Sequence, residues 1–248
     1  MEIKNKKFKY QDMTGQIFYT ESDQELPVVF FYHGWSQSSN SKRIVLLAEK
    51  LAENDFIVVL PDALMHGGRD EGKKRKGIHL WPIITKSNDE FNDLCKYISS
   101  EFKVNKQKIN IAGFSMGAIT SLAIFKNYDF INSCIPIAAT ASPIGYSTYL
   151  IKNDLLTYKQ KKTYDNQCHH LPNIDITYDL EVINKRHLHF IHGKDDGMVN
   201  YHEDYDYYLK MKDEDYASKT TYDLLENTKH ELNDQVLELV ISYLKKDN

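Results

Sequence analysis

Cysteine is scarce. The chain carries 3 in 248 residues, Cys95, Cys134 and Cys168, with no C-x-x-C spacing. An odd, scattered set excludes a disulfide framework and points to reduced thiols in a cytoplasmic setting. No apolar run approaches the ~20 residues that a membrane-spanning helix needs, so no membrane partner is expected. The opening residues, Met1 to Lys7, lack the apolar core of a secretory signal. Positive charge is not in excess either. Lys+Arg number 31 against Asp+Glu 35, a net charge of −4, and nucleic acid is not an expected partner. The one basic run, Lys73-Lys74-Arg75-Lys76 between Gly72 and Gly77, reads as a solvated loop in preference to a phosphate site. His169-His170 has no Cys, Asp or Glu at ligand spacing, so it reads as a lid or surface pair; no metal and no cofactor are expected. Internal repeats and low-complexity linkers are absent.

What is present fits one globular domain spanning 1–248, 42% hydrophobic and 27% charged. Residues 7–20 alternate around Gly15 as in a hairpin. Val28-Val29-Phe30-Phe31-Tyr32 and Phe56-Ile57-Val58-Val59-Leu60 are continuous β-rich runs, the pattern of strands buried on both faces. Between them Ile44, Leu47, Ala48 and Leu51 fall at i, i+3, i+4 and i+7, which predicts a helix over 41–54. The same reading predicts helices over 88–102, 116–125, 200–212 and 232–245. It predicts strands over 109–112, 131–139, 187–192 and 219–225, the last of them edge-like.

Strands alternating with helices imply an α/β architecture: a doubly wound, mostly parallel sheet of about eight strands, flanked by helices. The stretch 141–186 breaks the rhythm. It holds Tyr146, Tyr149, Tyr158, Tyr164 and Tyr178, part of a total of 17 tyrosines. Connections this long in compact domains are lids or insertions with a function, so 141–186 is expected to roof a pocket of mixed polarity.

Glycine is also sparse, at 11, and a chance G-x-S-x-G is expected only about 0.03 times in a chain of this composition. One occurs: Gly113-Phe114-Ser115-Met116-Gly117, where the strand ending at Ala112 meets the helix that follows. In that context Ser115 sits at the apex of a strained turn, with a helix N-terminus beneath its hydroxyl. A serine is a poor nucleophile until a base removes its proton and a carboxylate orients that base. In a doubly wound sheet the reacting groups gather at the carboxyl ends of strands. Beyond Ser115 those ends offer His192 to Asp196 and Asn227 to His230. Asp196 and His230 can both reach Ser115 from there, in the chain order Ser, Asp, His. Asp195 is the alternative acid. An oxyanion hole needs two donors; the amide of Met116 is one candidate and that of Trp35, after the strand at 28–32, the other.

These residues resemble the α/β-hydrolases, and most of all the single-domain branch near dienelactone hydrolases and prolyl-oligopeptidase-like esterases. The resemblance rests on His33-Gly34-Trp35, Pro61-Asp62 with Met65-His66-Gly67, Gly113 to Gly117, His192 to Val199, and His230. It spans about residues 26–245. It implies that Asp196, four residues after His192 and three before Val199, is the acid. Asn200 stands where the family often has proline, and Lys229 where it often has glycine.

The resemblance implies a serine hydrolase acting on a small to medium carboxylic ester through an acyl-enzyme, with no cofactor and a small-molecule acyl substrate. Peptidase, thioesterase and C–C hydrolase chemistry use the same three groups and stay open. A non-catalytic binding protein on the same scaffold is the third reading; the presence of all three groups speaks against it. Open sheets of this kind pair through edge strands or terminal helices, so a homodimer is the self-association to expect.

Overall fold

Eight strands are laid down along the chain in the computed structural model, which describes residues 2–152 and 169–248. They are β1 (Lys4–Tyr10), β2 (Met13–Tyr19), β3 (Leu26–Tyr32), β4 (Ile57–Pro61), β5 (Val104–Phe114), β6 (Ser133–Ile137), β7 (His187–Gly193) and β8 (Thr220–Leu225). They form one sheet in the order β1-β2-β4-β3-β5-β6-β7-β8. The β1–β2 hairpin is antiparallel and β2 pairs antiparallel with β4; every later pairing is parallel. Parallel strands require crossovers, and the crossovers cover both faces of the sheet. That is why β4 and β6 are buried at every residue.

The described helices are α1 (Lys42–Ala52), α2 (Leu80–Glu101), α3 (Met116–Asn127), α4 (Pro143–Lys152), α5 (His202–Met211) and α6 (Asp234–Asp247). One core layer packs α2 and its neighbours on the sheet through Phe30, Phe91 and Phe125. The other packs α1 and α6 through Leu47, Leu51, Val236, Val240 and Leu244. Full burial of such a side chain stabilises by roughly 1.5–3 kcal/mol. The Asn233 side chain accepts from the Val236 amide at 3.0 Å and so caps α6. At the far end of α6, the Asp247 carboxylate meets His189 at 2.9 Å and Ser133 at 2.8 Å, fixing the helix to the sheet.

The expected eight-stranded, mostly parallel sheet is present, and β8 lies at its edge as its alternation implied. Three boundaries differ. The hairpin starts at Lys4 and turns at Gln11-Asp12, so Gly15 lies within β2, opposite Phe8. Helix α2 begins at Leu80, not 88. Pro82 is its third residue, where a missing N–H costs nothing, and buried Trp81, Ile84, Asn88, Phe91, Cys95 and Ile98 continue one stripe. Strand β5 begins at Val104, not 109, because register with β3 (Leu26 opposite Val104) extends it through residues with no apolar signal of their own. Of the stretch 141–186, the described helical part is α4 and three short turns of helix between Leu171 and Ile183. Tyr158, Tyr164 and Cys168 lie outside the described residues.

The topology brings four distant segments to one rim. Strands β3, β5, β6, β7 and β8 lie side by side and run parallel. The residues that follow β3, β5, β7 and β8 (Trp35, Ser115, Asp196 and His230) therefore share the carboxyl edge.

Candidate active site

Ser115 has φ 55° and ψ −118°, a backbone conformation that a non-glycine residue holds only when its surroundings enforce it. They do. The Ser115 amide donates to the Ile137 carbonyl of β6 at 2.9 Å. Behind the turn, β5, α3 and β3 approach so closely that side chains are excluded. A Cβ on Gly113 would lie 2.2 Å from the Gly117 carbonyl oxygen, and one on Gly117 would lie 2.0 Å from that of Tyr32. Two glycines thus allow the strand and helix to touch, and the turn between them pushes the Ser115 hydroxyl outward.

His230 Nε2 stands 2.9 Å from Ser115 Oγ, and His230 Nδ1 stands 2.7 Å from Asp196 Oδ2. With Nδ1–H donating to the carboxylate, Nε2 is left to accept the serine proton. Asp196 Oδ1 accepts the Met198 and Val199 amides at 2.8 and 2.9 Å. Burial alone would raise the Asp196 pKa; its bonds to His192, His230 and these two amides outweigh burial and hold it well below the usual carboxylate range. The neighbouring Asp195 is exposed. Geometry therefore groups Asp196, and not Asp195, with His230 and Ser115.

Behind Asp196 lies a second buried pair. His192 Nδ1 is 3.0 Å from Asp204 Oδ2; its Nε2 is 3.1 Å from the Val199 carbonyl and 3.5 Å from Asp196 Oδ2. Both ring nitrogens face acceptors, an arrangement that suits a doubly protonated ring. Burial pushes the His192 pKa down, but the bonds to Asp196 and Asp204 override it and lift it to about 9. Asp204 itself is pushed up to about 6 by burial. We assign the charge to the imidazolium, since it lies between two carboxylates. In the sequence His192 stands out only as the start of the segment that ends at Asp196, and no motif there points to Asp204. The available signal was spacing: Asp204 and Met211, seven residues apart, are the two buried positions of α5.

The Trp35 loop is held from behind. The Ala63 amide donates to His33 Nε2 at 3.1 Å, so His33 Nδ1–H is left to donate to the Gly34 carbonyl at 2.8 Å. Burial lowers the His33 pKa to about 4 and keeps the ring neutral. His66 Nε2 lies 2.6 Å from the Trp35 carbonyl. Asp62 accepts the Ser39 and Gly68 amides at 2.9 Å and the Thr14 hydroxyl at 3.0 Å; it is the buried hub of these loops. With the carbonyls tied back, the amides of Trp35 and Met116 have no protein acceptor among the described residues.

Ser115, His230, Trp35 and Met116 line a pocket of about 320 Å³, within the size range of small-molecule sites. Leu80, Ile119 and Val199 make its walls largely apolar, and Tyr146 is the tyrosine of the 141–186 stretch that reaches it among the described residues. Trp81 is fully buried beneath it, in the core and not at the mouth. Tyr178 is 62% exposed, and His169 and His170 are exposed. The basic run departs from the solvated-loop expectation at one end. Lys73 and Lys74 are exposed, but Arg75 is half-buried and, with Lys76, lines the pocket. A larger cavity of about 520 Å³ between Lys6, Leu26 and Glu101 lies at the opposite end of the sheet and contains none of these groups. Also at that end, His187, His189 and Asp247 cluster around the α6 anchor, remote from Ser115.

No helix among the described residues is long and apolar enough to cross a membrane. The profile of the α/β hydrolase fold family matches residues 27–243. Esterase YjfP of Escherichia coli (strain K12) is 32% identical over 187 residues, 72% of each chain. TT1662 from Thermus thermophilus superposes with a TM-score of 0.75 over 100% of this chain and 98% of its own, at 14% identity. Est1E from Butyrivibrio proteoclasticus gives 0.66 over 98% and 96%, at 17% identity. At such identities the structural likeness establishes the fold, while the profile and the YjfP similarity establish kinship: the chain belongs to the α/β-hydrolase fold family.

Proposed function

We propose that the protein is a serine esterase acting on small to medium carboxylic esters. The observation that carries this reading is the continuous relay of Ser115, His230 and Asp196, at 2.9 and 2.7 Å, opening into a largely apolar pocket. The esterase name of the YjfP relative supports the same class.

The chemistry follows from the contacts. As Ser115 Oγ bonds to the ester carbonyl carbon, its proton passes to His230 Nε2. Asp196, kept ionised by its hydrogen bonds, stabilises the imidazolium that forms. The carbonyl oxygen becomes an oxyanion and is met by the Trp35 and Met116 amides, which have no competing protein acceptor among the described residues. Collapse breaks the carbon–oxygen bond, and the departing alkoxide takes the proton from His230. Water repeats the sequence on the acyl-enzyme and restores Ser115. Every step uses side chains, backbone amides and water.

Ser115→Ala tests this directly. It is expected to lower kcat for p-nitrophenyl acetate by about 10⁴-fold or more. Full retention of activity would refute the assignment. A matched panel of esters, thioesters and short peptides separates the ester reading from its neighbours in the family.

A further inference from the structure

Four arginines occur in the chain, and three are neutralised or fully bonded. Arg43 pairs with Asp234 at 2.7 Å and Arg69 with Glu90 at 2.8 Å. Arg186 donates to the carbonyls of Phe125 and Tyr128, both at 2.9 Å, and stacks on the Phe125 ring. Arg75 differs. Its one contact among the described residues is a long 3.4 Å approach of Nη1 to the Trp35 carbonyl, with no carboxylate beside it. It is half-buried and lines the Ser115 pocket together with Lys76. Among the described residues, the pocket lining contains no Asp or Glu. Asp196 stands behind His230, and Glu203 is bonded to Thr140 at 3.3 Å. A guanidinium left unpaired at the edge of an apolar cavity is a ready partner for a carboxylate or phosphate. In a chain with net charge −4, this is local positive charge placed at the reacting serine.

We propose that the pocket selects esters carrying an anionic group, a carboxylate or a phosphate, which Arg75 and Lys76 hold while Ser115 attacks the ester carbonyl. This rests on the serine-esterase reading and adds the substrate class to it. Leu80, Ile119 and Val199 take the apolar part of such a molecule and the basic pair takes its charged end. Because Arg75 also touches the carbonyl of Trp35, a bound anion would draw against the loop whose amide faces the oxyanion, so the anion-dependent gain is expected in KM first.

The test compares matched esters on the full chain. On the acyl side, p-nitrophenyl valerate is set against p-nitrophenyl hemiglutarate, which replaces the terminal methyl by carboxylate. On the alcohol side, phenyl acetate is set against 4-acetoxybenzoate and 4-acetoxyphenyl phosphate. At least one anionic ester is expected to exceed its neutral match in kcat/KM, and the preferred arm tells carboxylate from phosphate and acyl side from alcohol side. Arg75→Gln should lower the anionic-to-neutral ratio about tenfold through KM, the effect of one charged contact, whereas Arg75→Lys keeps part of it. Raised salt should erode the wild-type preference. Wild-type protein that hydrolyses neutral esters as well as every anionic match, or an Arg75→Gln variant that loses both classes equally, overturns the inference and leaves the esterase reading standing. Absence of turnover of every ester overturns both.

Discussion

Gly117→Ala probes the packing that creates the nucleophile turn. Its new Cβ would lie 2.0 Å from the Tyr32 carbonyl oxygen, 2.4 Å from the Tyr32 carbonyl carbon and 2.7 Å from the His33 carbonyl oxygen. All three are backbone atoms, so no side chain can swing aside. Ordinary contact requires a separation of about 3.5 Å, so α3 and the end of β3 must part by more than an ångström. Strain of this kind is expected to cost about 3 kcal/mol or more. In a chain of this size that lowers Tm by about 6–12 °C. The same displacement separates Ser115, at the head of α3, from the Trp35 loop that follows β3. A misplacement near 1 Å is worth about 100-fold in rate. The assay is a pair of measurements on one preparation: urea or thermal unfolding, and kcat for p-nitrophenyl acetate. Gly197→Ala is the stability control, since its added Cβ meets nothing within 4 Å. If Gly117→Ala unfolds and turns over like the wild type, the reasoning from close backbone approach is wrong.

Two further outcomes follow from the electrostatics. Asp196→Asn should cut kcat by about 10⁴-fold by spoiling the orientation of His230, while Asp195→Asn, at an exposed position, should change it less than about threefold; equal losses in both would contradict the geometry. The His192 pKa is raised above its ordinary 6.5 to about 9 in the folded chain, so its stabilisation is complete below pH 6.5 and is lost as pH rises through 9. Urea midpoints between pH 6.5 and 9 should fall in the wild type and fall less in His192→Gln; identical slopes would show that His192 carries no such charge.

Much of the site was legible because its chemistry is punctuated by local rules. G-x-S-x-G between a strand and a helix identified the turn at Ser115, and strand ends located Asp196, His230 and Trp35 on one rim. What stayed hidden depends on contacts between segments far apart in sequence. Asp204 becomes notable only when α5 turns it toward His192, across 3.0 Å. Asp62 reads as a turn residue until its three donors, from Thr14, Ser39 and Gly68, are seen together. Helix α2 starts earlier than its predicted stripe, because the first helical turn accepts Pro82. Arg75 was absorbed into a basic run, and composition cannot tell which member of such a run turns inward.

The most direct measurement of the central assignment is active-site labelling. A fluorophosphonate probe reacts with an activated serine, and peptide mapping then reads which residue carries it. The expected result is a single adduct on Ser115, abolished in Ser115→Ala and strongly slowed in His230→Ala, whose variant retains the serine but loses the base 2.9 Å from it. An unlabelled wild-type protein, or an adduct on a residue other than Ser115, would contradict it.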